Sequence, residues 1–76
     1  MITEINHKIM PGGKRYSELI GLKDDILALD STNIANGSKF TVINYRFGDY
    51  EAATFLYDEE NDEWMYGDET AEDCFG

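Results

Sequence analysis

Two runs of chain, FTVINYRF (residues 40–47) and YEAATFLY (50–57), constrain the fold more than any other feature of the sequence. Both are dense in β-branched and aromatic residues, which suit a pleated, half-buried surface. Only Gly48-Asp49 lies between them. A connection that short admits one arrangement, an antiparallel hairpin. The turn-forming run DEEND (58–62) then leads into EWMYG (63–67), so the spacing predicts a three-stranded meander. Both faces of the first two strands carry apolar side chains. One face can pack on a helix. The other must be partly covered, or it is offered to a partner.

Upstream, ITEINHKI (2–9) alternates, with Thr3, Ile5, His7 and Ile9 on one side and Glu4, Asn6 and Lys8 on the other. This predicts a half-buried strand, ended by Pro11-Gly12-Gly13. Residues 17–30, SELIGLKDDILALD, place Leu19, Leu22, Ile26 and Leu29 at helical spacing behind Ser17 as an N-cap. STNIANGSK (31–39) is rich in turn formers and predicts a loop, and DETAEDCF (68–75) predicts one last helical turn. The expected fold class is therefore α+β: one helix packed on a small antiparallel sheet, built from an N-terminal strand and the meander. The competing arrangement makes DILALD a strand after a turn at Gly21 and closes a small SH3-like β-barrel. The helix is preferred because strict alternation fails at Ile26-Leu27.

Seventy-six residues make a single small domain, 1–76. A chain of that size buries only about 60% of its unfolded surface, so its packing must be efficient. Ten aromatic residues supply much of the apolar area. With one cysteine, Cys74, no internal disulfide can form, and one cysteine with one histidine cannot build a zinc cluster. This is compatible with a reducing cytoplasm, the expected location. The opening MITEINHKIM lacks the apolar run of a secretory signal, and no segment approaches the roughly 20 apolar residues of a membrane span.

Charge is distributed unevenly. Residues 1–46 hold five acids and six bases, whereas the acidic half, 47–76, holds eleven acids and no base. A surface built for solubility alone usually mixes both signs. Set among the acids are Tyr50, Tyr57, Trp64 and Tyr66, residue types typical of interface anchors. The candidate partner-binding residues are Asp49, Glu51, Asp58, Glu59, Glu60, Asp62, Glu63, Trp64, Tyr66, Asp68 and Glu69.

The sequence offers little support for other chemistry. Asp58, Glu60 and Asp62 alternate as oxygens do in calcium loops, but Glu63 stands where such a loop has glycine. His7 and Cys74 could form a dyad, yet nothing orients a third group, so no enzyme is expected. Gly12-Gly13-Lys14 lacks the rest of a phosphate loop. A chain of net charge −10 is repelled by phosphates, so direct nucleic-acid binding is disfavoured. No cofactor or metal is expected.

In an extended segment, side chains on one face repeat at about 6.6 Å. Asp49 and Glu51 share that spacing, as do Asp58, Glu60 and Asp62 if that stretch stays extended. DNA presents one charge per roughly 3.4 Å of each strand. The expected function is thus an acidic nucleic-acid mimic that occupies a basic groove on a DNA- or RNA-handling protein, such as a nuclease or CRISPR effector. In charge, length and lack of catalytic parts the chain resembles in kind the DNA-mimic inhibitors of phages and mobile elements, including anti-restriction and anti-CRISPR proteins. No sequence motif carries that resemblance. Two alternatives remain: an immunity or antitoxin protein for one cognate toxin, and a small protein-interaction module of a larger assembly.

Overall fold

The computed structural model describes residues 1–46 and 51–75, with the side chains of Arg46 and Glu51 excluded. Within these, six strands and two short helices follow one another: β1 (Thr3–Ile9), β2 (Arg15–Gly21), α1 (Lys23–Ala28), β3 (Lys39–Arg46), β4 (Glu51–Asp58), β5 (Glu63–Tyr66), β6 (Glu69–Thr70) and α2 (Ala71–Phe75). The strands form one open sheet in sequence order. Every neighbouring pair is antiparallel except β2 and β3, which run parallel from Glu18 opposite Lys39 to Gly21 opposite Val42.

The expected meander is present in β3, β4 and β5, and the expected N-terminal strand is β1. The expected turn at Gly48-Asp49 lies outside the described residues. The long helix over 17–30 does not form, and the all-antiparallel sheet and the barrel with it give way to a mixed, open sheet. The first part of that segment is the strand β2, with Ser17, Leu19 and Gly21 buried in alternation. The second part, including DILA, is α1. Leu19 and Ile26 do share a core, but from two elements. Leu22, which the helical spacing placed between them, is exposed at the junction. Gly21 explains the break. A Cβ there would stand 2.9 Å from Cζ of Phe40 and 3.2 Å from a carboxylate oxygen of Asp25. A strand that passes so close to a buried ring must carry glycine.

α1 begins where the Leu22 N–H donates to Oδ2 of Asp25 at 2.9 Å and the Lys23 N–H donates to Oδ1 of Asn44 at 2.9 Å. The second bond fastens the helix to β3. Because α1 returns the chain to β3 in the same direction as β2, the β2–β3 pair is parallel, as a crossover connection requires. The loop that follows is not free. Ile34 bridges to Arg15, and the Ala35 N–H donates to the Arg15 carbonyl at 2.9 Å. Ser38 is fully buried, its hydroxyl donating to the Ala35 carbonyl at 2.7 Å and accepting from the Ser17 N–H at 3.1 Å.

The core lies between one face of the sheet and the two helices. Leu19, Phe40, Val42, Phe55, Tyr57 and Trp64 come from the strands, Ile26 and Ala71 from the helices. Two extra residues in β3, between Val42 and Arg46, oppose β4 irregularly. This bulge turns Tyr45 inward onto Phe55, Tyr66 and Phe75, with ring centroids 6.3, 5.3 and 5.7 Å away. Among the described residues, no helix covers the opposite sheet face. It presents Ile43 and Leu56, both about half exposed, beside a 3.1 Å hydroxyl contact between Thr41 and Thr54.

β1 differs from expectation in burial. All seven of its residues are exposed, and a bulge between Glu4 and Asn6 breaks the alternation of its sides. It is an edge strand, held by its ladder to β2 and by the Arg15 guanidinium on the Glu4 carboxylate.

Candidate functional site

From Asp58 to Asp73 the acidic stretch is folded, but not as a ladder. Asp58 ends β4, residues 59–62 form a turn, Glu63 opens β5, Glu69 lies in β6, and Glu72 and Asp73 lie in α2. The alternating row expected over Asp58, Glu60 and Asp62 is therefore absent, because the chain reverses there: the Asp62 N–H donates to the Glu59 carbonyl at 3.3 Å. Asp49 lies outside the described residues, and so does the side chain of Glu51. Of the nine acids from Asp58 to Asp73, all but Asp58 are solvent-exposed. Among the described residues, one cation pairs with them: Lys14, whose Nζ is 2.9 Å from Oε1 of Glu59. That carboxylate holds the Lys14 ammonium above the usual lysine range.

The turn is built by its own polar groups. Both Asp58 oxygens are engaged, accepting from the Glu60 N–H at 3.2 Å and the Asn61 amide at 2.8 Å. Asp62 has φ 54°, in the left-handed region that Asp tolerates better than most residues. Its Oδ1 accepts from the Tyr57 phenol at 2.5 Å and from the Ser31 hydroxyl at 2.9 Å. Those two donors, Tyr57 first, hold the Asp62 carboxyl below its ordinary range. Burial, and then the Asp62 carboxylate, push the Tyr57 phenol up. At the other end, Thr70 and Asp73 cap α2 reciprocally. The Thr70 N–H donates to Oδ2 of Asp73 at 3.3 Å, and the Asp73 N–H donates to Oγ1 of Thr70 at 3.0 Å.

The aromatics divide. Trp64 and Tyr57 are buried, with their rings 5.0 Å apart, and Phe40 meets Trp64 edge-on at 5.8 Å. Trp64 is thus core, not the exposed anchor expected from the sequence. Tyr66 is 43% exposed, while one face of its ring packs on Phe55 and Tyr45. Among the described residues, it is the exposed aromatic of the acidic surface. Tyr50 lies outside the described residues.

Beside this surface is a cleft of about 310 Å³ between the end of α1, the β4–β5 turn and the start of α2. Its buried wall includes Ile26, Trp64 and Ala71, and exposed Asp62, Glu63 and Glu72 stand around it. No lysine or arginine lines it. The indole Nε1 of Trp64 is buried and meets no acceptor among the described residues. Sequence reasoning missed the cleft, because its walls come from residues 26–31 and 61–72, which no local pattern connects. It also omitted Glu72, which the partner-binding set did not include.

The remaining candidates stay apart. β1 and β6 are opposite edges of the sheet, so His7 and Cys74 are not brought together. His7 Nδ1 is 3.3 Å from Glu4, and the Cys74 thiol, pushed up by burial, contacts Glu69 at 3.5 Å. Among the described residues, no three His, Cys, Asp or Glu side chains group as metal ligands would, and no helix is long and apolar enough to cross a membrane. No protein-family model, curated protein or solved structure matches the chain.

Proposed function

We propose that the protein is an acidic inhibitor that competes with nucleic acid for a basic groove on a DNA- or RNA-handling protein. One observation carries this reading. Eight exposed carboxylates, from Glu59 to Asp73, are distributed over two turns, two strands and a helix of one folded framework, with a single lysine paired to them among the described residues. Carboxylates fixed on a scaffold repel one another in the free protein, and a cationic surface relieves that repulsion. They also steer association, which makes it fast and sensitive to salt. The mimicry rests on the density of charge over several elements, not on a regular strand ladder. An antidote to one basic toxin would use the same surface but meet a single enzyme.

The experiment is capture of partners from cell lysate at low and high salt, followed by challenge with duplex DNA and with RNA. A mimic retains nucleic-acid-binding proteins at low salt, loses them at high salt and is displaced by the nucleic acid they bind. Partners that keep nucleic acid bound while held on the protein overturn the reading.

The uncovered sheet face favours a second reading, a protein-interaction module. Ile43 and Leu56 are exposed there, beside the hydroxyl contact between Thr41 and Thr54. A partner on that face would bind with little dependence on salt. Leu56→Asp would abolish its binding, whereas changes to Glu60 or Glu72 would not.

A further inference from the structure

We infer that the open edge of β1 pairs antiparallel with β1 of a second copy of this chain, joining two sheets across a twofold axis at His7.

The surroundings of β1 show which of its backbone groups are unused. Along an antiparallel ladder, residues turn their N–H and C=O alternately to one neighbouring strand and to the other. Ser17, opposite His7, gives its N–H to Oγ of Ser38 at 3.1 Å, away from β1. Arg15, opposite Ile9, gives its N–H to the Asn33 carbonyl at 2.8 Å and accepts the Ala35 N–H at 2.9 Å, also away from β1. His7 and Ile9 therefore turn their backbone groups outward, where no strand of the described residues follows β1. The His7 N–H donates instead to Oδ1 of its own neighbour, Asn6, at 2.9 Å. A strand edge with free donors and acceptors is a template for another strand.

Charge favours a second copy at this edge and selects the register. The whole chain carries −10, so most approaches of one copy to another are repulsive. Residues 1–21, which hold β1 and β2, carry Lys8, Lys14 and Arg15 against Glu4 and Glu18. Of the pairings between outward residues, Ile9 with Ile9 sets His7 opposite Pro11, which has no N–H to give. His7 with Ile9 sets Lys8 opposite Lys8 of the other copy, and like charges directly opposed are destabilising. His7 with His7 sets Lys8 opposite Asn6 instead. Asn6 stands opposite Glu18 in β2, so a row Lys8, Asn6, Glu18 runs across the seam. Lys8 makes no ion pair with the described residues, and in this row it lies two strand spacings, about 10 Å, from a carboxylate that both long side chains can approach. The same register brings Ile9 of each copy to Ile5 of the other, covering side chains that are 61% and 60% exposed in the single chain. Each imidazole keeps its own carboxylate, Glu4, 3.3 Å from Nδ1. Joined this way, both copies hold their β6 edges at the outer ends of the sheet.

The test is sedimentation equilibrium of the full chain up to millimolar concentration, with amide exchange measured over the same range. The 8.7 kDa mass should double. Sodium chloride should strengthen the association, because it screens the net charge that both copies carry. Exchange at His7 and Ile9 should slow as concentration rises, while exchange at Lys8, turned toward β2, should not change. His7→Pro removes an outward N–H and no bond to β2, and should weaken the dimer roughly tenfold or more. Ile5→Glu and Ile9→Lys, both at exposed positions, decide the matter if the proline variant does not fold. Each alone should weaken association, and both in one chain should restore it, since the register sets the introduced carboxylate of one copy against the introduced ammonium of the other. A chain that stays monomeric overturns the inference. So does a dimer that leaves His7 and Ile9 exchange unchanged, or a double variant no better than either single one. Protection of His7 and Ile9 that requires an added foreign strand rather than a second copy overturns it as well.

Discussion

The phenol of Tyr57 donates a 2.5 Å hydrogen bond to Asp62, five residues along the chain, across the turn that joins β4 to β5. A buried ring thus fastens an exposed acidic turn to the core, with Ser31 as a second donor from the loop after α1.

Tyr57→Phe should loosen the turn, lower the thermal midpoint and leave the sheet intact. The pH dependence of that difference follows from both partners. The Asp62 carboxyl is depressed in the folded protein, so its contribution is present above the ordinary carboxylate value and is lost as pH falls below about 4. The Tyr57 phenol is raised, so its contribution is present below the ordinary tyrosine value and is lost as pH climbs past about 10. Thermal melts of the two proteins should therefore differ most between these limits and converge at both ends. A constant gap down to pH 2 would show that the bond is not the cause.

Gly21→Ala should destabilise by about 1–3 kcal/mol, because the added methyl meets a ring that cannot retreat. Phe40 has no exposed surface, and its Cζ is 2.9 Å from where the methyl would stand. Urea denaturation measures the loss. A gain in stability, as a glycine-to-alanine change in a helix would give, would contradict the strand assignment of β2.

Ser38→Ala removes an acceptor from the buried Ser17 N–H and should cost about 1–3 kcal/mol. Urea denaturation should show this with an unchanged m-value. Faster amide exchange at Ser17 would locate the damage. Unchanged exchange there would mean that another acceptor replaces the hydroxyl.

Converting Glu60, Asp68 and Glu69 together to their amides should raise the thermal midpoint at low salt. These exposed carboxylates repel their neighbours, and salt screens that repulsion. The gain over the parent protein should shrink as sodium chloride is added. A gain independent of salt would point to a cause other than charge.

The legible parts of the fold were those with local signals. Short connections and β-branched runs marked β3, β4 and β5, and Pro11-Gly12-Gly13 marked the end of β1, where Gly12 and Gly13 both adopt positive φ. The segment 17–30 misled because Leu19, Leu22, Ile26 and Leu29 match a helical period by coincidence. Two elements met at Gly21-Leu22, and a glycine demanded by Phe40, distant in sequence, looked like a tolerated helix glycine. The parallel β2–β3 pairing has no local signature, since it depends on where the crossover returns the chain.

The acidic surface was legible as composition but not as geometry. That eleven acids and no base gather in residues 47–76 is read directly from the sequence, but which of them are exposed, and that residues 69–75 are ordered, is set by the fold. The turn-forming DEEND hints that residues 59–62 reverse direction, yet the alternation of Asp58, Glu60 and Asp62 fits an extended row equally well. The Thr70-Ala71-Glu72-Asp73 capping box was present in the sequence as a Thr followed three residues later by an acid. The burial of Trp64 was not legible, because only the packing of Phe40 and Tyr57 around it decides that its ring faces inward.

Because β1 contributes no buried side chain, its attachment is almost wholly backbone hydrogen bonding, reinforced by one arginine. Such a strand can detach while the remaining five stay packed, at far less than the free energy of global unfolding. Detachment would bare the hydrogen-bonding flank of β2. The strand that would be lost and the acidic surface stand at opposite edges of the sheet, β1 at one and β6 at the other, so opening one leaves the framework of the other in place.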